Sequence, residues 1–464
     1  MISQIIFLLL MLATFGVAFR KYSKLRRNIL LGKDVKIEGD TGERFKNMML
    51  IAFGQKNMFK RIIPAVMHLF IYVAFLFTQI ELIEIFVDGL SGKHRFFRPY
   101  LGGVYTGLIS FIELLSLGAF IATLVFLIRR NLLKVPRFHM DEMTGWPKLD
   151  GNLILYAEIL LLMGIFSMNG ADEVLYNAGA THAVGASGQG SFNFAVSQWL
   201  GPALFGGMSV GTLEFVERFG WWMHIIVVFT FLNYLPYSKH LHILLAFPNV
   251  YFSKLTSRGE MDNMPEIMNE VKSMMGLIPE SEAAPAGDPN DMPKFGASDV
   301  FDLTWKNMLD AYTCTECGRC SSVCPANMTG KKLSPRKIMM DVRDRAEEIG
   351  KHLNDNNLDV IAADKKEGAT VLTKENFDDG KSLFDYISNE EVHACTTCNA
   401  CVEACPVMIN PLDIILQLRR HEILDLAAGP GDWTPMFTSI ENSGSVWQVP
   451  DARDKWAVEM NECF

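Results

Sequence analysis

Cys314-Thr-Glu-Cys317-Gly-Arg-Cys320-Ser-Ser-Val-Cys324-Pro325, followed downstream by Cys395-Thr-Thr-Cys398-Asn-Ala-Cys401-Val-Glu-Ala-Cys405-Pro406, decides how the last third of this 464-residue chain folds. Three thiolates at i, i+3 and i+6 can reach three corners of one iron–sulfur cube, and a fourth cysteine set off by three residues and followed by proline ordinarily ligates the other cube. The spacing predicts two [4Fe–4S] clusters with crossed ligand sets, Cys314/Cys317/Cys320/Cys405 and Cys395/Cys398/Cys401/Cys324. Structural zinc on CxxC knuckles is the alternative, but zinc pairs rarely carry a third and fourth cysteine at this spacing. Eight of the nine cysteines are used in this way, and the ninth, Cys463, is expected to be an ordinary packing or surface residue.

Upstream the composition changes. Apolar runs at 2–19, 62–86, 104–128, 152–169 and 219–247 are each near or above the length of a bilayer-spanning helix, whereas nothing comparable follows residue 250. The first run has no basic residue before it and Arg20, Lys21, Lys24, Arg26 and Arg27 after it, the pattern of a retained anchor rather than a cleaved leader. Lys and Arg number twelve in 20–61 and five in 129–151, against three in 88–103 and none in 170–216. The basic loops are expected inside, so the N-terminus lies outside and the cysteine-bearing portion in the cytoplasm of an inner-membrane protein. A reducing compartment agrees with thiolates kept for iron. The net charge of −9 goes with no nucleic-acid partner.

The expected fold class is all-α: a five-helix transmembrane bundle over 1–250, an amphipathic segment and linker over 251–298, and a helical two-cluster domain over 299–464. Gly276 to Ser298 is rich in Pro, Gly, Ala and acidic residues and reads as a flexible linker. Helical periodicity over Ser334–Glu348, between the two cysteine runs, argues against a compact β-rich ferredoxin. The 170–216 loop, with Gly- and Ser-rich Gly185–Ser191, is expected to be mostly irregular, although Phe192–Met208 is apolar enough to lie along or dip into the bilayer.

Three histidines fall in or at the ends of the apolar runs: His68 in the second, His224 and His242 in the fifth. Two histidines at matching depth on antiparallel helices form a bis-imidazole site for a b-type haem. Depth matches His68 with His242, with His240 close enough to substitute, and leaves His224 unpaired. His94, His139, His182, His352, His393 and His421 are expected at the surface. Glu81, Glu84, Glu113 and Glu158 lie within spans, where a carboxylate either bonds a hydroxyl of a neighbouring helix or carries protons. Glu81 and Glu113 are the candidates for proton exchange with a quinone, which needs two protons that haem and clusters do not supply.

In these residues the chain resembles two families joined end to end. Val-Met-His68, Trp-Met-His224 and Leu-His242-Ile resemble the haem histidines of the five-helix cytochrome b subunit of respiratory nitrate reductase, whose remaining histidine falls at Thr78 here. Cys-Thr-Glu-Cys-Gly-Arg-Cys, Thr329-Gly-Lys-Lys-Leu-Ser-Pro335-Arg and Arg419-Arg420-His421 resemble the iron–sulfur subunits of heterodisulfide reductase-like membrane oxidoreductases. The resemblance implies a quinone-linked electron-transfer subunit with one haem b, a second haem doubtful, and a quinone site (menaquinone or ubiquinone) beside Thr78, Glu81, Glu113 and His224 where the second haem is missing. Relatives continue into Cys-Cys-Gly modules that are absent here, so a CCG-type or flavoprotein partner in the cytoplasm is expected to supply that chemistry. The competing expectation is a non-catalytic membrane anchor and docking scaffold for such a partner.

Overall fold

The computed structural model describes residues 1–133, 135–180, 192–257, 260–279, 294–355, 377–447 and 454–462. Cys463, His182, Gly185–Ser191 and most of the expected linker lie outside the described residues. The described residues are helical, with no strand beyond one isolated bridge between Lys33 and Thr304.

Among the described residues five helices are long and apolar enough to cross a membrane: α1 (Ile2–Ile29), α2 (Ile62–Ser91), α3 (Gly103–Asn131), α4 (Trp146–Asn177) and α5 (Val210–Tyr234). Their packing follows from what each interface removes or inserts. On α1, Phe7 fills the space beside Gly89 of α2 and meets Phe86, Trp221 and Phe229, so three helices close on one ring. Between α4 and α5 the side chains are absent instead: a Cβ on Gly220 would stand 2.8 Å from the Gly164 carbonyl. That backbone approach seats His224 directly against α4.

The fifth apolar run does not form one helix. It ends at Tyr234, passes through a 3-10 turn at Leu235–Tyr237 and restarts as α6 (His242–Tyr251). Pro236 supplies the physical reason, because it has no N–H and its ring excludes a continuing helix. His242 is therefore the first residue of a new helix rather than the end of the fifth.

The cysteine-bearing part repeats a helix, loop, helix plan. α7 (Trp305–Thr313) leads into Cys314, and α8 (Pro335–Asp355) follows the first run; a short capped helix, Asn389–Ala394, leads into Cys395, and α9 (Pro411–Arg420) follows the second. Capping boxes at Thr304 and Ser388 start both lead-in helices. The core of this domain includes Leu25, Ile29 and Leu241, so α1 and the turn before α6 run out of the bundle into it. The chain after α1 is fixed there by Lys33, whose N–H donates to Leu303 and whose carbonyl accepts from Trp305. The cluster domain thus sits on one end of the bundle, the end carrying His68 and the most basic connections.

Candidate metal centres and the two ends of the bundle

The two cysteine loops share an unusual backbone. Glu316 and Gly318 in the first and Thr397 and Asn399 in the second all have positive φ, at the same offsets from the leading cysteine. Left-handed residues alternating with right-handed ones curl the loop so that sulfurs and backbone N–H groups converge, the geometry of an anion nest. Thr397 N–H donates to Cys395 Sγ at 3.4 Å and Ile409 N–H to Cys405 Sγ at 3.3 Å. At Gly318 the tight packing also requires glycine, since a Cβ would lie 2.5 Å from the Arg336 guanidinium.

The structure brings the eight cysteines together in two groups that cross between the runs. Cys314 and Cys317 lie near enough to Cys405 to oppose its ionisation, and Cys324 does the same to Cys395 and Cys401. Burial pushes the Cys314 and Cys401 thiols up to about 12, with neighbouring thiols adding to the effect. Four thiols buried together are poor as free acids and well suited to iron, which takes the place of the proton. Cys398 is the one exposed member, so the group formed with the second run is the one nearer solvent.

At the cluster end of the bundle, His68 and His242 meet with ring centres 6.4 Å apart, and His240 stands 5.3 Å from His242. His68 Nδ1 lies 3.1 Å from the Gln55 side-chain oxygen, and His242 Nδ1 lies 3.0 Å from the Lys239 carbonyl. With Nδ1–H donating in both rings, Nε2 is left with its lone pair. Desolvation by burial lowers the His242 and His240 pKa, so both stay neutral at physiological pH.

Both segments that orient these rings are tied to the first cysteine loop. The Lys239 ammonium bonds Glu316, which also accepts from Arg343 at 2.9 Å; the Lys239 backbone N–H donates to Asp150 of α4 at 3.0 Å. Burial opposes the Glu316 charge, but Lys239 and Arg343 together hold its pKa below the ordinary carboxylate value. On the other side, buried Arg319 reaches the Asn57 and Met58 carbonyls, two and three residues after Gln55. Glu316, Arg319, Lys239 and Gln55 escaped sequence reasoning, because none has a metal-ligand pattern. The only available signal was that Glu316 and Arg319 lie between cysteines.

At the far end the expected quinone-site residues separate. Glu113 is saturated: it accepts the Val196 N–H at 2.8 Å, the Ser197 N–H at 3.0 Å, the Asn169 amide at 3.1 Å and the Ser197 hydroxyl. It pins the apolar 192–208 stretch, including a short helix over Ser197–Phe205, onto α3 and α4. Glu84 is held likewise, by the Tyr105 hydroxyl and the Phe97 N–H. Glu81 is 2% exposed and neither of its oxygens has a hydrogen-bond partner; its nearest cation is Arg95 at 3.7 Å. Thr78 bonds the Phe75 carbonyl in its own helix, and His224 Nδ1 bonds the Leu161 carbonyl on α4.

The surface expectation for His94 is overturned. The turn after α2 folds back over the bundle end, where Asp88 accepts the Arg95 and Phe96 N–H groups, and it carries His94 and Arg95 inward. His94 stands between Asp172 at 3.0 Å and Glu217 at 3.6 Å. His421 is also buried, beside Asp425 at 2.8 Å, and His393 bonds Glu422 at 2.7 Å.

Comparison with known proteins agrees with the cysteine geometry. Residues 313–409 match the 4Fe-4S dicluster domain family. The chain is 27% identical over 93% of its length to the probable iron-sulfur-binding oxidoreductase FadF of Bacillus subtilis (strain 168), covering 57% of that protein. It is 26% identical over 96% of its length to the EtfAB:quinone oxidoreductase of Syntrophomonas wolfei, covering 58%. Over 38% of its length it is 30% identical to a probable membrane-anchored ferredoxin of Chromohalobacter salexigens, covering 26% of that protein. The chain thus spans less than two thirds of the length of each of these relatives. No solved structure matches. The chain is an iron–sulfur protein with a two-cluster domain behind five candidate membrane helices, and its relatives are iron–sulfur oxidoreductases.

Proposed function

We propose that this chain is the membrane electron-transfer part of a quinone-linked oxidoreductase, in which Cys314/Cys317/Cys320/Cys405 and Cys395/Cys398/Cys401/Cys324 would hold two clusters and His68 and His242 would hold one haem b. The observation that carries it is the histidine pair. Two imidazoles bound through Nε2 to one iron, with bonds of about 2 Å, put their ring centres about 6 Å apart. The 6.4 Å separation, with both Nδ1 groups engaged elsewhere, fits that requirement. When bound, the haem and clusters would supply one-electron exchange.

The protein's own residues set the order and the spacing. Exposed Cys398 marks the group that a soluble partner can approach; the first cysteine loop, buried between Arg319 and Glu316, adjoins the histidines. Lys239 and Gln55 hold the two imidazoles in register with that loop, so a small shift of the cluster domain is transmitted to both rings. The basic connections lie at the cluster end, which supports a cytoplasmic cluster domain. A quinone site at the far end rests on Glu81, whose carboxylate makes no hydrogen bond and has only Arg95 at 3.7 Å as a charge partner, rather than on Glu113 or Thr78. The similarity to an EtfAB:quinone oxidoreductase supports quinone as the membrane substrate and a flavoprotein as the soluble partner.

The test is the visible spectra of two samples of the purified chain, one reduced with dithionite and the other with menadiol. Low-spin b-type bands that vanish in His68→Ala and His242→Ala, and that develop with menadiol in the unaltered chain, are expected. No haem in the unaltered chain would leave an anchor with two clusters and refute the reading.

A further inference from the structure

The end of the bundle remote from the clusters holds a line of buried ionisable side chains whose hydrogen bonding is only partly satisfied. Glu217 on α5, His94, Asp172 on α4, Arg95 and Glu81 on α2 follow one another with separations of 3.6, 3.0, 2.8 and 3.7 Å. All but His94 are under 5% exposed. Three of them keep buried atoms without hydrogen-bond partners: Glu81 on both oxygens, His94 on Nδ1 and Glu217 on Oε1. Structural ion pairs saturate such atoms, since each one left bare costs about 1–3 kcal/mol. These atoms lie at the two ends of the line and on His94 next to Glu217, where a proton would be taken up and handed on.

We propose that Glu217, His94, Asp172 and Glu81 form a proton relay between the outer face of the membrane and the quinone site. The proposal rests on the quinone reading above. In the oxidising direction a quinol loses two electrons, one at a time, to the one-electron carriers at the cluster end, and its two hydroxyl protons pass in turn to the Glu81 carboxylate. Arg95 stays protonated and holds Glu81 and Asp172 at opposite sides of its guanidinium, so the hop between them is the one that needs a water molecule. From Asp172 the proton reaches His94 Nε2; release of the Nδ1 proton to Glu217 completes the transfer, and Glu217 delivers it to solvent. Quinone reduction runs the same path backwards.

The groups facing His94 are suited to this role. Burial disfavours its charged form, yet Asp172 and Glu217 outweigh both burial and the opposing Arg95 and raise its pKa above the ordinary value. The two carboxylates thus favour the charged imidazole that forms while a proton passes through the ring. Glu81 faces Arg95, with Glu84, Glu113 and Asn169 nearby; all three are already committed to structural bonds. A divalent cation on His94, Asp172 and Glu217 is a poorer use of the cluster, because Arg95 already makes two bonds to Asp172.

The full chain, in liposomes with the cluster domain outward, a pH dye inside, menadiol as donor and external ferricyanide as oxidant, tests the relay. Expected is luminal acidification by about two protons per quinol in the unaltered chain. In His94→Gln and Glu217→Gln, menadiol-driven haem reduction should slow about tenfold or more, lose its pH optimum and recover in His94→Gln with added imidazole, while the reduced haem spectrum stays normal. Glu217→Gln is near-isosteric and keeps the test sound if His94→Gln fails to fold. Protons appearing on the cluster side, or unchanged rates in both variants, would overturn the relay alone. Failure of menadiol to reduce the haem in the unaltered chain would overturn the quinone reading, and the relay with it.

Discussion

Two buried carboxylates one helix apart should respond oppositely to substitution. Truncating Glu113→Ala strands the Val196 and Ser197 N–H groups and the Asn169 amide, while the Ser197 hydroxyl can turn elsewhere. Three stranded donors at about 1–3 kcal/mol each, less some relaxation, cost about 3–6 kcal/mol. Glu81→Gln removes no hydrogen bond, because neither oxygen makes one, and relieves a buried charge whose partner is 3.7 Å away and already paired with Asp172. Its expected effect on stability is within about 1 kcal/mol of zero and of either sign. Unfolding of the purified, cluster-loaded chain in detergent by SDS titration, followed by tryptophan fluorescence, separates the two. Menadiol-driven haem reduction should show the reverse pattern, falling sharply in Glu81→Gln and remaining normal in Glu113→Gln, which keeps an acceptor for the backbone. A Glu81→Gln variant as unstable as Glu113→Ala would make Glu81 a structural residue and remove the basis for the far-end quinone site.

Cys324→Ser is expected to damage mainly the cluster of Cys395, Cys398 and Cys401; low-temperature electron paramagnetic resonance showing only the Cys314 cluster altered would uncross the ligand sets. Lys239→Met leaves Glu316 with Arg343 alone and should both destabilise the cluster domain by about 3–5 kcal/mol and move the haem bands, whereas bands unchanged would dissociate Lys239 from His242. The raised His94 pKa implies a stability contribution that is complete below its unfolded value of 6.5 and lost as pH rises through the folded value. Unfolding midpoints should therefore fall across the neutral to alkaline range, and a decline equally steep in His94→Gln would exclude His94 as its source.

The cysteine runs and the meeting of His68 with His242 were legible because both rest on residue type and spacing. The cysteine runs specify which sulfurs can share a cube, and helix rise alone placed His68 opposite His242. Even there the route differs: the rings meet because Pro236 breaks the helix and Asp150 catches the turn, not because one long helix carries His242 to the right depth. The carboxylates were not legible in the same way. Glu81, Glu84 and Glu113 are equivalent in a hydropathy profile, and their roles differ only through what the 92–102 turn and the 192–208 stretch bring to them. Those segments are short in local signal, and their contacts are long-range: Val196 and Ser197 reach Glu113 across 83 and 84 residues, and Arg95 reaches Asp172 across 77. His94 shows the same limit, since a histidine followed by arginine in a polar turn reads as solvent-facing until the turn is seen to close over Asp172 and Glu217. Where a ligand's chemistry dictates the spacing of its own donors, sequence suffices; where a buried proton is managed by groups from four separate elements, only the assembled fold distinguishes a bonded carboxylate from a free one.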